Sequence, residues 1–308
     1  MESTTVSPGR LQALGIAMAL SAGTLWGVSG TIGQYLYANT DIDGGLLSSI
    51  RMPLAGLILF GYALFTQKKQ VFAIFRHWKD ALLLVAYALF GMLPCQTGYL
   101  VSIQYTNVGT ATVLQYTAPV LILLIHCICR HRLPRRMELL ALALTLVGVF
   151  LIATHGNLST LSISPKGLMW CAIASAGMAL NTLLPVRLLE KYPAATVTSW
   201  ALLIGGVGSW FLFQSWNASA TFSVTAVVCI GSIVILGTVA AFLLYLSALH
   251  RIGPVRCGLI SSVELVAAAV LGVVVMHAPF TFPDFLGFVA IAIAVVLLNR
   301  GGASTSSD

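Results

Sequence analysis

Long apolar segments, separated by short clusters of charged residues, run along almost the whole chain. Stretches without Asp, Glu, Lys, Arg or His include 11–40, 81–125 and 193–249, and one membrane span needs about 20 apolar residues. The two longest stretches therefore hold two spans each, which we divide at the polar sequences 104–109 and 214–219. The pattern predicts ten helices, at 11–33, 45–66, 81–102, 109–129, 138–154, 167–187, 194–213, 225–249, 256–276 and 283–299.

Composition supports a chain that is solvated by lipid. Hydrophobic residues make up 58% of the 308 positions and charged residues only 8%, whereas soluble domains carry about 25% charged residues. Such a chain cannot cover a water-facing surface. We therefore predict an all-α integral membrane protein, whose first helix is retained rather than cleaved as a signal peptide.

The net charge of +7 is explained by the distribution of the basic residues. If the N-terminus lies inside, every Lys and Arg except Arg51 and Lys166 falls in an inner loop or tail, while Asp41, Asp43 and Asp284 fall outside. This is the positive-inside pattern of multi-pass proteins. It predicts that both termini are cytoplasmic, and it removes the reason to expect a nucleic-acid partner.

The six cysteines do not predict a disulfide framework or a metal site. All of them lie within or beside predicted spans rather than paired in an outer loop, and the two that are closest in sequence have no zinc-binding spacing. We expect small packing residues, and neither a metal nor another cofactor. The cysteines are Cys95, Cys127, Cys129, Cys171, Cys229 and Cys257.

The helices divide into two groups of five. We assign residues 1–154 to a first repeat, 155–166 to a linker, 167–300 to a second repeat and 301–308 to a disordered tail.

Short sequence matches relate the two groups. The Ser-Ala-Gly sequence at 21–23 recurs at 175–177, and 118–152 aligns without gaps to 264–298. Because five is odd, the first helix and the sixth would cross the membrane in opposite directions, so the repeats would be inverted. Inverted repeats around a site near the membrane midplane are common in secondary transporters. The organisation therefore favours transport.

Several short motifs point to a family. Trp26-Gly27, Arg51, the segment 106–119 and the segment 263–266 resemble EamA-type transporters of the drug/metabolite transporter superfamily, and 154–165 looks like a bacterial inner-membrane branch.

The resemblance implies a basket of ten helices, in which the first four of each repeat surround a central cavity and helices five and ten are peripheral. It also implies export of small metabolites such as amino acids or related compounds. Leu265 stands where the family has a proline after Glu264, so a helix break is not predicted there.

Two charges inside the predicted spans are the first candidates for a substrate site. Each costs about 2.5–3.5 kcal/mol at the centre of a span, so something must offset it. At 1.5 Å per residue, Arg51 and Glu264 differ in depth by about 9 Å, which permits either a direct ion pair or one cavity lined from two depths. In the functional interpretation, Arg51 receives a carboxylate and Glu264 contacts a cationic group or carries a proton. In the structural one they form an ion pair, or Arg51 extends towards the membrane surface.

Other polar and aromatic residues on the cavity-forming helices complete the candidate site. Buried amides need partners, so they should face protein or water, although facing inward does not distinguish a ligand contact from helix–helix packing. The candidates are Trp26, Gln96, Tyr99, Gln115, Tyr116, Asn181 and Tyr245.

A different class of function needs a different arrangement. The sequence 27–30 matches the Gly-x-Ser-Gly pattern of intramembrane serine proteases, with Ser29 as nucleophile and His126, His155 or His250 as partner, but these histidines lie at unrelated depths or at helix ends. No catalytic residue is therefore assigned. The expected partners are a small-molecule substrate and the lipid bilayer, with a homodimer through helices five and ten left open, as are uptake and exchange.

Overall fold

The computed structural model describes residues 8–129, 136–155, 163–252, 260–278 and 280–303, together with residues 133 and 257. Within these residues every regular element is a helix. In the described parts of the chain, seven helices are long and apolar enough to cross a bilayer, and three shorter apolar helices complete the set of ten. The prediction of an all-α membrane protein is confirmed.

The ten helices, named one to ten in chain order, are continuous or built from consecutive segments. Helix one is Pro8–Asn39, helix two Gly44–Gln67, helix three Trp78–Ala86 with Tyr87–Met92 and Leu93–Tyr105, helix four Val108–Gln115 with Ala118–Cys129, and helix five Arg136–Thr154. Helix six is Pro165–Leu183 with Val186–Lys191, helix seven Ala194–Leu212, helix eight Val224–Val234 with Ile235–Ala240 and Ala241–Ile252, helix nine Val263–Val274, and helix ten Phe282–Ala303.

Polar caps explain why several boundaries agree with the sequence pattern. A side-chain oxygen at each cap accepts a hydrogen bond from a backbone N–H of the first turn, which satisfies a donor that the helix itself cannot pair. These caps are Asp43 for helix two, Asn107 for helix four, Ser164 for helix six and Ser223 for helix eight.

Helix one is longer than predicted, since it ends at Asn39 rather than at residue 33. Gln34 is the first residue beyond the predicted end, and its side chain has a partner in the fold. The Oε1 of Gln34 accepts a hydrogen bond of 2.8 Å from the N–H of Val108, at the start of helix four. A buried amide with a partner does not end a helix.

The two groups of five helices pack mainly against each other. Helix two packs along helix seven, helix three along helix six, helix one along helices eight and nine, and helix five along helix ten. The largest apolar cluster combines residues of both groups, such as Leu47, Leu100, Leu188 and Leu202. The core of the molecule is therefore the interface between the halves.

The repeated Ser-Ala-Gly sequences lie where backbones approach most closely. A Cβ atom on Gly177 would lie 2.8 Å from the Cα of Cys95 on helix three, and one on Gly23 would lie 2.8 Å from Val263 on helix nine. Both distances are shorter than side chains tolerate. Glycine at these positions lets the helices of opposite halves pack in direct backbone contact.

Helices four and nine are interrupted at equivalent positions of the two halves. Extending the ungapped alignment by two residues at its start pairs Tyr116 with Ser262. Tyr116 is the C-cap of Val108–Gln115, with φ and ψ of −71° and 5°, and Ser262 is the N-cap of Val263–Val274, with φ and ψ of −64° and −4°. The N–H of Leu265 bonds to the carbonyl of Ser262 three residues earlier. The helix therefore breaks at Ser262 although Leu265 stands where the family has a proline.

Candidate functional site

Arg51 of helix two is buried, with 5% of its surface exposed. Its Nη2 donates a hydrogen bond to the Oε1 of Gln96 on helix three. Its Nε has no hydrogen-bond partner within the part of the chain that the structure describes. The amide oxygen of Gln96 partly offsets the cost of placing a guanidinium away from water. These two candidates therefore form one polar pair between helices two and three.

Tyr99 and Gln115 join helices three and four. The hydroxyl of Tyr99 lies 2.9 Å from the Oγ1 of Thr112, and the Nε2 of Gln115 donates to the carbonyl of Cys95 over 3.3 Å. Both candidates thus have protein partners, which is the helix-packing role that the sequence left as an alternative.

Tyr116 and Glu264 connect the two interrupted helices. The hydroxyl of Tyr116 donates a hydrogen bond of 3.0 Å to the Oε2 of Glu264. The carboxyl group follows the interruption at Ser262 by two residues, and the phenol belongs to the interruption of helix four. Interrupted helices in transporters commonly mark the binding region.

Trp26 and Tyr245 lie on helices one and eight and contact each other. Their ring centroids are 5.4 Å apart, and the ring of Phe242 lies 5.7 Å from Trp26 in an edge-on arrangement. Aromatic rings at these distances attract one another beyond the burial of apolar surface. The three rings form an aromatic wall, of which the sequence identified two members.

Asn181 is the candidate on helix six. Its backbone packs against Gly91 of helix three. Its Oδ1 is buried, and no residue that the structure describes gives it a hydrogen bond. A buried amide oxygen is an acceptor that a donor group would stabilise.

Arg51 and Glu264 do not form an ion pair with each other, although both side chains are described by the structure. Arg51 is held by Gln96 and Glu264 by Tyr116. Cys95 and Tyr99 lie within electrostatic range of both charges. The arrangement is two separated charges with polar groups between them, so the direct pairing that the sequence allowed does not occur.

Two further polar contacts lie near the helix ends. Asp80 of helix three accepts hydrogen bonds from Lys191 at 3.1 Å and from the hydroxyl of Tyr192 at 2.9 Å. Removal from water and the bond to the Asp80 carboxylate raise the pKa of Tyr192. At another pair of helix ends, the Nδ1 of His155 lies 2.6 Å from the Oδ1 of Asp284. His155 is therefore not available to Ser29, which packs against Gly237.

Sequence reasoning missed Tyr37, Thr112 and Phe242. Tyr37 lies beyond residue 33, where the predicted first helix ended, so it was placed in a loop. Thr112 and Phe242 lie inside predicted helices, but an apolar helix face and a cavity face look alike when the partners are unknown. The signal that would have found Tyr37 is the absence of charged residues from 11 to 40.

Comparisons with known proteins agree with this architecture. A model of the EamA-like transporter family matches residues 13–154 and 165–300. The uncharacterized inner membrane transporter YicL of Salmonella typhimurium is 32% identical over 285 residues, covering 92% of this chain and 95% of that protein. The uncharacterized transporter YetK of Bacillus subtilis is 28% identical over 255 residues, covering 80% of this chain and 75% of that protein.

A solved crystal structure shares the fold at 15% sequence identity, with a TM-score of 0.61 over 96% of this chain and 99% of the other. At this identity the likeness concerns the fold alone. The family match covers nearly the whole chain and falls on the two groups of helices that build the site between them. The chain belongs to the EamA-like transporter family and is a membrane transporter, not an enzyme.

Proposed function

We propose that this transporter exports small metabolites, such as amino acids or related compounds, across the inner membrane by alternating access. The family resemblance implies that the direction of transport is export and that the transport is secondary-active. The name of the Salmonella relative supports an inner-membrane location. Uptake or exchange by the same fold is the alternative.

The observation that carries the proposal is the separation of Arg51 and Glu264. Each charge is held by a neutral partner, Gln96 or Tyr116, rather than by the opposite charge. Two separated charges of opposite sign suit a zwitterion, whose carboxylate would approach Arg51 and whose ammonium group would approach Glu264. The rings of Trp26, Phe242 and Tyr245 would supply an apolar wall for a side chain.

The interlocked packing of the halves supports alternating access. Close backbone contacts at Gly23 and Gly177 connect helices of opposite halves, and the interruptions at Tyr116 and Ser262 lie at equivalent positions. A rocking of one half against the other would open the polar layer to one side of the membrane at a time. The inverted orientation of the repeats and the cytoplasmic termini belong to the same proposal.

Glu264 is the residue that we assign to proton coupling. A carboxyl group that holds a hydrogen bond to Tyr116 in the membrane interior can exchange a proton when the site opens to water. The charge would then be lost or gained during each cycle. Helices five and ten are peripheral in this scheme, and a homodimer through them stays a prediction.

Thermal-shift screening of the purified chain against a metabolite library tests the proposal. We expect one class of small zwitterionic metabolites to raise the melting temperature, because a ligand that binds only the folded state stabilises it. In reconstituted liposomes, an imposed proton gradient should then drive transport of the same compounds across the membrane. Protein that moves none of the compounds that it binds, under any gradient, would overturn the transport mechanism.

A further inference from the structure

Two buried polar atoms close to the start of helix two lack hydrogen-bond partners among the described residues. They are the Nε of Arg51 and the hydroxyl of Tyr37. Tyr37 lies two residues before the end of helix one at Asn39, and helix two begins at Gly44. The short connection brings both side chains to the same end of the helix pair.

Tyr37 and Arg51 are also electrostatic neighbours. Among the ionisable groups around each of them, the other one acts most strongly. The next group around Tyr37 is Asp43, and the next around Arg51 is Tyr99. Asp43 and Tyr99 already have hydrogen-bond partners. The hydroxyl of Tyr99 pairs with Thr112 at 2.9 Å, and Asp43 accepts the N–H of Leu46 at 2.7 Å.

The Nε of Arg51 and the hydroxyl of Tyr37 can both act as hydrogen-bond donors. The Nε of arginine can only donate, and a phenol readily donates to an anionic oxygen. The Nη2 of Arg51 is already bound to Gln96, which fixes the plane of the guanidinium and leaves its Nε edge for another acceptor. Buried donors without acceptors are unfavourable, and a carboxylate offers two acceptor oxygens to a planar guanidinium.

We propose that Tyr37 and Arg51 form a carboxylate-binding subsite, in which the phenol and the Nε each donate a hydrogen bond to one carboxylate of the transported compound. The proposal rests on the proposed function and narrows its substrate class to compounds with a free carboxylate. Asn181, whose buried Oδ1 is an acceptor, does not take part in this subsite.

Matched pairs of ligands test the subsite on the purified full-length chain. Leucine and phenylalanine are compared with 3-methylbutylamine and phenethylamine, which are the same molecules without the carboxylate. We expect at least one amino acid to raise the melting temperature of the wild type, and its amine to raise it much less at the same concentration.

Variants locate the effect. Tyr37→Phe removes one donor and keeps the ring, so the apparent Kd for the amino acid should rise about tenfold, which is the loss expected for a hydrogen bond to a charged group. Arg51→Lys, which keeps the charge but lacks the Nε, should weaken binding at least as much. Tyr35→Phe is the matched control, since Tyr35 is on the same helix but exposed, and its affinity should equal that of the wild type.

Three results would overturn the subsite. The first is wild-type affinity for the amino acid in Tyr37→Phe. The second is equal stabilisation by amine and amino acid, which would leave the proposed transport function intact with a different substrate class. The third is that neither amino acid, nor acetate as the simplest carboxylate, shifts the melting temperature. In that case, counterflow of the amines in liposomes decides separately whether the chain transports.

Discussion

The hydroxyl of Tyr116 lies 3.0 Å from the Oε2 of Glu264, so a residue at the interruption of helix four binds the carboxyl group that follows the interruption of helix nine. The two residues belong to different halves of the chain. In the proposed mechanism, a relative movement of the halves would stretch or break this hydrogen bond, and would thereby couple the protonation of Glu264 to the conformation of the transporter.

Replacement of Glu264 by Gln should flatten the pH dependence of flux while leaving the protein folded. Glutamine preserves the size of the side chain and an acceptor for Tyr116, but it cannot bind or release a proton. The rate of transport of a substrate found by thermal shift, measured in liposomes between pH 5.5 and 8.5, reports the effect. An unchanged pH profile would remove Glu264 from the coupling role. Glu190→Gln is the matched control, because the Glu190 carboxylate is exposed at the end of helix six and its loss should leave the pH profile unaltered.

Replacement of Tyr116 by Phe should lower the stability of the protein by about 1 kcal/mol, the usual contribution of one hydrogen bond between membrane helices. Thermal unfolding in detergent measures the change. The control is Tyr62→Phe, because Tyr62 is exposed on helix two and its loss should have little effect. If Tyr116→Phe and Glu264→Ala, each of which removes the hydrogen bond between the two residues, lower stability additively in the double variant, the two residues are not coupled.

Replacement of Gly177 by Ala should destabilise the protein by about 1–3 kcal/mol, the usual cost of overpacking. The new Cβ would lie 2.8 Å from the Cα of Cys95, so helices three and six would have to separate. Gly61→Ala is the matched control, since a Cβ there meets nothing within 4 Å and alanine favours the helix by up to about 1 kcal/mol. Equal melting temperatures of the two variants would contradict the close contact.

Single cysteines at Lys69 and Lys166 should react with a membrane-impermeant maleimide from opposite sides of the membrane. Both side chains are exposed, and an odd number of helices separates them if the repeats are inverted. The experiment uses a background without the native cysteines, and whole cells are compared with inverted vesicles. Labelling of both positions from the same side would overturn the inverted arrangement and, with it, the proposed mechanism.

Sequence alone predicted the number and approximate limits of the helices, because the length of an apolar run and the caps at its ends are local properties. Asp43, Asn107 and Ser164 mark their helix starts in the sequence as well as in the structure. The predicted end of helix one was wrong, since the helix continues to Asn39. Gln34, in the part that the prediction left out, pairs with Val108, which is distant in sequence.

The candidate site was predictable only as a set of residues that cannot face lipid. A polar or charged side chain within an apolar span can be recognised from the sequence alone. Their partners depend on how each helix is rotated and how deep it lies. Arg51 therefore binds Gln96 rather than Glu264. Tyr37 lies in helix one, and not in a loop, because that helix continues past its predicted end.

The packing of each half against the other has a consequence for the origin and the assembly of such chains. Helix one packs against helices eight and nine, and helix three packs against helix six. A polypeptide with only the first five helices would leave these apolar and glycine-lined faces without a complement. We therefore expect an ancestral chain of half this length to have worked only as a pair of subunits, and a fragment ending at Thr154 to require co-expression of the remainder to accumulate in cells.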